Sequence, residues 1–167
     1  MLAKRNIETT LLKLDQKYLD PQATNDDRNY YSKLALMELC GWIEQSVDKI
    51  AKEYASSRIV STNELRSYEA DILDKLYSFK YKKIRKDVLI YLVGIIGTQK
   101  IEARMGADLS ILKSTLGSLA STRNRAAHTY IKGVTMTYDA PSLISAYLRQ
   151  IYTPLCHLKK ELHRIRK

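Results

Sequence analysis

Residues 34–54 read LALMELCGWIEQSVDKIAKEY, and this stretch decides the fold of the chain. Apolar side chains recur every three or four positions, which is the period of an α-helix. The stripe that they form consists of Leu36, Cys40, Ile43, Val47, Ile50 and Tyr54. Leu34, Met37 and Trp42 lie beside the stripe and widen the apolar surface. A helix that is apolar on more than one side is central in a bundle or buried in a dimer.

The helical period continues on both sides of this central helix. It predicts a first helix over residues 3–18 and, after the centre, helices over residues 64–79 and from residue 84 to an end at Gly97. A leucine-rich helix over residues 109–119 and a last helix from Pro141, kinked at Pro154, complete the pattern. Six glycines and three prolines are few for the many tight turns of a strand-rich protein. The sequence therefore predicts an all-α, up-and-down bundle of five to six helices, with residues 1–167 in a single domain.

The charge of the chain favours a polyanionic partner. Lys and Arg number 28 against 18 Asp and Glu, so the formal net charge is +10. Nucleic acid, acidic proteins and anionic membranes all carry the negative charge that such a positive surplus would attract. One cationic stretch is interleaved with Phe79 and Tyr81, a combination that suits RNA, although it is also compatible with a solvated helix face. Its cations are Lys80, Lys82, Lys83, Arg85 and Lys86.

Several classes of protein find no support in the sequence. Cys40 and Cys156 lie far apart and lack paired ligand spacing, so we expect two reduced thiols. There is no glycine-rich phosphate loop and no zinc-ligand cluster, and we expect neither a metal nor another cofactor. No apolar run reaches the roughly 18 residues that span a bilayer, and the N-terminus lacks the apolar core of a signal peptide. We therefore expect a cytoplasmic protein without a membrane partner.

Residues 123–128 read RNRAAH and carry the groups that a phosphodiester reaction needs. Arginine can hold a phosphate through two parallel hydrogen bonds, and histidine titrates near neutral pH and can move protons. On a helix, Asn124 and His128 share a face, whereas Arg123 lies about 140° around the axis from His128. Two copies that meet across a two-fold axis would bring both groups into one cleft. The alternative is a histidine that only caps a helix end.

The helical context and this segment, which we call the RNRAAH segment, resemble the HEPN domain superfamily. The hallmark of that superfamily is Arg, four to six residues and His, commonly with Asn after the Arg; the matching positions are Arg123, Asn124 and His128. The resemblance implies a helical bundle that forms a homodimer and a metal-independent endoribonuclease site in the dimer cleft. It also implies a role in toxin–antitoxin or antiviral-defence systems. Thr129 stands where many members have glycine.

Two branches of the superfamily are similar to this chain, and the sequence does not choose between them. Tyr130 completes an Arg-x4-His-x-Tyr pattern like that of HEPN toxins paired with nucleotidyltransferase antitoxins, which adenylylate the equivalent tyrosine. Tyr130 is thus a candidate modification site, or it contacts substrate or packs at an interface. The long central helix, which is capped at Thr24 or Asn25 and contains residues 34–54, also looks like a defence-associated branch. Either branch would supply a cognate antitoxin or another neighbouring partner.

The sequence thus predicts an endoribonuclease in which His128 transfers protons, Arg123 binds the scissile phosphate and Asn124 orients one of them. Arg125 and the cationic stretch at residues 80–86 are weaker candidates for RNA contact. Two alternatives stay open: a non-catalytic HEPN-like module that binds RNA, a nucleotide or a protein, and a basic helical DNA-binding or protein-interaction domain. Glu38 and Glu44 are expected either at a dimer seam or partly exposed and ion-paired.

Overall fold

A computed structural model describes residues 2–74, 76, 78–129 and 137–165, and those residues contain helices and no strand. Two π-helical segments interrupt the α-helices: Glu69–Leu73 follows α3, and Ile84–Ile90 joins α4 to α5. The α-helices are α1 Arg5–Tyr18, α2 Asn25–Ser56, α3 Thr62–Tyr68, α4 Tyr81–Lys83, α5 Tyr91–Met105, α6 Ala107–Ala127 and α7 Pro141–Arg164. This all-α architecture confirms the predicted fold class.

The central helix α2 is 32 residues long and begins at a capping box. The backbone N–H of Asp27 donates to Thr24 Oγ1 at 3.1 Å, and the backbone N–H of Thr24 donates to Asp27 Oδ2 at 3.0 Å. These bonds satisfy two amide groups that the first turn of a helix leaves without intrahelical partners. The apolar stripe predicted on α2 is buried throughout, with Leu36, Cys40 and Ile43 among its members.

The core lies where α2 meets α1, α6 and α7. Helix α1 packs against both α2 and α7, and α7 also packs against α5 and α6. Two hydrogen bonds tie the residues before α1 to this core: Trp42 Nε1 donates to Ala3 O at 2.9 Å, and the Tyr152 hydroxyl donates to Leu2 O at 3.1 Å. Helix α7 continues through Pro154 as one element. Within the described part of the chain, no helix is both long and apolar enough to cross a membrane.

The helix predicted over residues 64–79 is wrong in its second half. Helix α3 ends at Tyr68, the π-helical segment ends at Leu73, and Phe79 lies outside any helix. Phe79 is nevertheless buried, and Ile72 and Leu76 are partly buried. Apolar spacing in this stretch therefore indicated burial better than it indicated backbone conformation, because apolar side chains outside a helix can be buried as well.

The helix end predicted at Gly97 is also wrong: α5 is kinked three residues earlier, at Gly94, where φ is 71° and ψ is 177°, and it then continues through Gly97 to Met105. Gly97 is buried inside this helix, and a Cβ atom added to it would lie 2.8 Å from Val93 Cβ. Among the described residues, the glycines with positive φ are Gly94 at +71° and Gly106 at +52°, a region that favours glycine. Gly106 separates α5 from α6, so the turn that starts α6 depends on it.

Candidate functional site

The RNRAAH segment forms the last turns of α6, and His128 is the residue that ends the helix. The backbone N–H of His128 donates to Arg125 O at 3.3 Å, and Thr129 Oγ1 donates to the same oxygen at 2.6 Å. Because residues 123–127 are helical, Asn124 and His128 lie four positions apart on one side of α6. The helical spacing predicted for the segment therefore applies.

The side chains of the segment differ in exposure. Asn124, Arg125 and His128 are exposed, whereas Arg123 is partly buried. Among the residues that the structure describes, none forms a hydrogen bond with the His128 imidazole or the Asn124 amide. Their donors and acceptors face solvent and are available to a ligand.

Arg123 points toward α2 and lines a cleft of about 570 Å³. Its Nη2 atom lies 3.6 Å from Glu44 Oε1, which is an ion pair between two partly buried side chains. The other residues that line the cleft are Asp48, Leu73, Asp74 and Leu76. Arg123 therefore shares the cleft with three carboxylates, and its ion pair with Glu44 holds the guanidinium in place and neutralises part of its charge.

The pKa of Asp48 shows that additional negative charge is unfavourable in the cleft around Arg123. Burial raises the pKa of Asp48 above its usual value, and the charges of Glu44 and Asp74 raise it further, against the opposing effect of Lys52. The three carboxylates are no metal site, because no group of His, Cys, Asp or Glu in the described residues is arranged to hold an ion.

Cys40 also lies near this ion pair, on the buried side of α2. Burial raises the pKa of its thiol to about 12, with a further increase from Glu44 and an opposing effect of Arg123. The thiol is therefore protonated at neutral pH, and a protonated thiol is a poor nucleophile.

A second contact fixes the other end of the segment. Lys33 Nζ donates to the carbonyl oxygen of Thr129 at 2.6 Å. Lys33 and Glu44 are about 16 Å apart along α2. Since Lys33 meets the end of the segment and Glu44 meets its beginning, α2 and α6 run in opposite directions. Sequence reasoning missed Lys33, because its partner lies 96 positions away and no local pattern connects the two.

The sequence matches the RiboL-PSP-HEPN family over residues 3–142. The chain belongs to this family. The matched range includes α1 to α6 and the whole RNRAAH segment, and it ends at the second residue of α7. HEPN domains are often ribonucleases, and the match therefore supports a HEPN-type nuclease or RNA-related module. No curated protein and no solved structure has significant similarity to the chain.

The cationic stretch of this HEPN module is only partly free to meet RNA. Lys80, Lys82 and Lys86 are exposed. Two other cations are engaged within the fold, since Lys83 pairs with Asp87 at 2.8 Å and Arg85 Nε lies 3.0 Å from Glu102 Oε1. The second pair is reinforced by a 2.9 Å hydrogen bond that the Tyr81 hydroxyl donates to Glu102.

Lys113 of α6 locates this stretch relative to the RNRAAH segment. Its ammonium lies 5.0 Å from the centre of the Tyr81 ring. Lys113 precedes Arg123 by about 15 Å along α6. Tyr81 therefore meets the first half of α6, and the structure does not place the stretch around it beside the candidate site.

The remaining predicted residues fall into two groups. Tyr130 lies outside the described residues, so its role stays a prediction. Glu38 is exposed and Glu44 is paired with Arg123, which agrees with the ion-paired alternative for Glu44.

Proposed function

We propose that this HEPN protein is a metal-independent endoribonuclease with a composite active site in a homodimer cleft. The observation that supports it best is the arrangement at the end of α6. Asn124 and His128 are exposed there, while the neighbouring Arg123 is held by Glu44. The family match covers all three residues of the motif. Few other groups in the chain suit RNA cleavage so directly.

The proposed reaction is an attack of the ribose 2′-oxygen on the adjacent phosphorus. His128 removes the proton of the 2′-hydroxyl as the new O–P bond forms. The bond from phosphorus to the 5′-oxygen breaks, and the second subunit's histidine donates a proton to that leaving oxygen. Arg123 binds the phosphate and stabilises charge in the transition state, and Asn124 orients His128 or the phosphate. The products are a 2′,3′-cyclic phosphate and a 5′-hydroxyl.

The directions of the side chains support the proposed homodimer. Arg123 faces the cleft of α2, whereas Asn124 and His128 lie on the exposed side of α6. One copy thus offers its arginine and its histidine on different sides of a helix. A second copy, related by a two-fold axis and packed on the exposed side of α6, would place a second histidine beside the first in a cleft between the two subunits.

The biological role that we propose is that of a toxin or antiviral-defence effector. Free ribonuclease activity would be harmful to a cell, so we propose a cognate antitoxin that controls it, such as a nucleotidyltransferase that modifies Tyr130. Growth arrest on expression of wild-type protein, relieved by His128→Ala, supports a toxin. Unimpaired growth with active enzyme present contradicts that role without affecting the proposed chemistry.

Cleavage of a labelled RNA in EDTA tests the enzyme directly. Wild type should cleave, and His128→Ala and Arg123→Ala should each lose at least about a hundredfold in rate. His163→Ala on α7 and Arg66→Ala on α3, both at exposed positions, are matched controls and should retain activity. A DNA copy of the substrate, which lacks the 2′-hydroxyl, should resist. Undiminished cleavage by either motif variant would sink the assignment.

A second candidate function is a non-catalytic HEPN module, and one observation favours it. The acidic residues Glu44, Asp48 and Asp74 around Arg123 oppose the approach of a phosphate to that arginine. In this case the exposed face formed by Asn124, Arg125 and His128 would bind RNA or a protein without cutting. RNA binding that is abolished by His128→Ala, with no cleavage by wild type in EDTA or in Mg²⁺, would select this function.

A further inference from the structure

A second cationic site lies at the opposite end of α6 from the RNRAAH segment. A cavity of about 390 Å³ opens between α5 and the end of α7. Three cations line it, Lys100, Arg104 and Arg164. The remaining wall is largely apolar and is formed by Val93, Ile96, Gly97 and Ile165. No function proposed so far uses these residues.

A buried carboxylate organises two of these cations. Glu161 is fully buried, and its Oε1 accepts a hydrogen bond of 2.6 Å from Arg164 Nη1. Arg104 Nη1 lies 3.8 Å from Oε2 of the same side chain. Oε2 is itself buried and has no hydrogen-bond partner within the described part of the chain. Glu161 thus holds two guanidinium groups at one cavity.

The balance of charge at the cavity is positive. Glu161 is the one carboxylate in contact with Arg104 and Arg164 among the described residues, and Lys100 has no acidic partner among them. Asp108, at the start of α6, is engaged by His157 Nδ1 at 2.7 Å, and His157 Nε2 lies 3.6 Å from Glu161 Oε1. Three cations against one carboxylate leave an excess that an anionic ligand would neutralise.

We propose that this cavity binds the phosphate group of a small phosphate monoester that carries an apolar portion. The phosphate would lie between Lys100, Arg104 and Arg164, because guanidinium groups match the oxygens of a phosphate geometrically. The apolar portion would contact Val93, Ile96 and Ile165. A volume of about 390 Å³ falls within the usual range for small-molecule pockets. An extended RNA strand would need a longer track of spaced cations.

The cavity is independent of the proposed ribonuclease site. Arg104 lies just before α6, whereas the RNRAAH segment ends that helix, and the 21 residues of α6 extend for about 30 Å. Glu161 and Arg164 lie beyond the range that matches the family. The site therefore combines α5 with a part of α7 outside the family match, and it does not depend on RNA cleavage.

Binding of two probes to the full chain tests the proposal. Inorganic phosphate and phenyl phosphate are titrated by calorimetry, and phenol serves as the probe without a phosphate. We expect phenyl phosphate to bind more tightly than inorganic phosphate, and phenol to show no binding. Failure of wild type to bind phenyl phosphate at millimolar concentration overturns the proposal, as does equal binding of phenol.

Variants distinguish this cavity from the general positive charge of the protein. Lys100→Gln and Arg164→Gln should each weaken phenyl phosphate binding by roughly tenfold. Arg149→Gln removes an exposed cation from α7 outside the cavity and should leave affinity unchanged. Lys100 has no acidic partner among the described residues, so its substitution should not disturb folding, and thermal unfolding checks this. Equal weakening by Arg149→Gln indicates nonspecific anion binding and contradicts the proposal.

A short RNA gives the last arm of the test. If the small phosphate ester is the ligand, a single-stranded RNA with a 5′-hydroxyl should not displace phenyl phosphate. Displacement by that RNA, lost in Arg164→Gln, would assign the cavity to the RNA backbone and overturn the small-molecule assignment.

Discussion

The ammonium of Lys33 lies 2.6 Å from the carbonyl oxygen of Thr129, and this contact joins α2 to the end of the RNRAAH segment. Thr129 directly follows His128, so the contact restrains the backbone from which the imidazole projects. At the other end of the segment, Glu44 restrains Arg123 from the same helix. Helix α2 is therefore the element that sets the position of both proposed catalytic side chains.

We expect Lys33→Met to slow RNA cleavage by about tenfold or more. The substitution keeps the aliphatic stem and removes the donor to Thr129, so the turn that carries His128 becomes less well fixed. Small displacements of catalytic groups reduce rates strongly. Single-turnover cleavage measures the effect. Lys33→Arg retains a charged donor and should recover part of the rate.

Lys13→Met on α1 is the control for Lys33→Met, since Lys13 is exposed and far from α6 in the sequence. It should leave the cleavage rate unchanged. A Lys33→Met protein that cleaves RNA as wild type does would show that Lys33 does not position His128.

Glu44→Gln should separate RNA binding from RNA cleavage. The carboxylate neutralises part of the charge on Arg123 and also holds its guanidinium in place at 3.6 Å. Without it, the arginine attracts phosphate more strongly but is less well oriented. We therefore expect KM to fall or stay constant while kcat falls by roughly tenfold.

Glu38→Gln is the matched control, because Glu38 lies on the same helix and is exposed. It removes the same charge from α2 without touching Arg123, and kcat should stay at the wild-type value. A parallel loss of kcat in both variants would mean that overall charge, and not the position of Arg123, is responsible.

Much of the fold could be predicted from the sequence because long amphipathic helices leave a regular apolar pattern. The pattern over residues 34–54 corresponds to the buried stripe of α2, and the leucine-rich pattern continues into α6. The prediction was wrong around Phe79 and Gly97. Phe79 lies outside any helix while its side chain is buried. At Gly97 a glycine that resembles a helix end is an interior packing position.

The candidate site was predictable only in its local part. Arg123, Asn124 and His128 share one short segment, so their chemistry and helical spacing could be read in order. Lys33 and Glu44 come from another helix, and only the packing of α2 against α6 brings them to the segment. Contacts of this kind depend on tertiary structure, and no periodicity along the chain encodes them.

Asp48→Asn should stabilise the protein at neutral pH. The pKa of Asp48 is raised in the folded state, chiefly by burial, so ionisation of its carboxylate disfavours folding. The protonated carboxyl of Asp48 contributes to the free energy of unfolding. This contribution is fully present below the pKa of the unfolded state, about 3.9, and it is lost as pH rises through the pKa of the folded state. The Tm difference between Asp48→Asn and wild type should therefore grow from about pH 4 toward neutral pH.

Asp26→Asn gives the contrasting case on the same helix. Asp26 is exposed in the first turn of α2, where a negative charge is favourable. Its substitution should lower Tm at neutral pH, so the two variants should shift Tm in opposite directions. A decrease in Tm at neutral pH for Asp48→Asn would contradict the burial argument.

Gly106, which precedes α6, and Gly117, which lies within it, should respond oppositely to substitution by alanine. Gly106 has a φ of +52° before α6, and an L side chain is strained in that conformation whatever the space around it. Gly117 lies within α6, and a Cβ added there meets no atom within 4 Å. We expect Gly106→Ala to lower the free energy of unfolding by about 1–2 kcal/mol. Gly117→Ala should raise it by about 0.5–1 kcal/mol, because alanine favours the helix.

Urea unfolding followed by circular dichroism measures both effects, and the double variant adds a check. The two positions are distant along α6, so their effects should add. Destabilisation by Gly117→Ala would mean that this face of α6 is covered in solution. That face is exposed in the single chain, so such a result would point to a contact made by a second molecule, and concentration-dependent unfolding of wild type would then identify it as another copy.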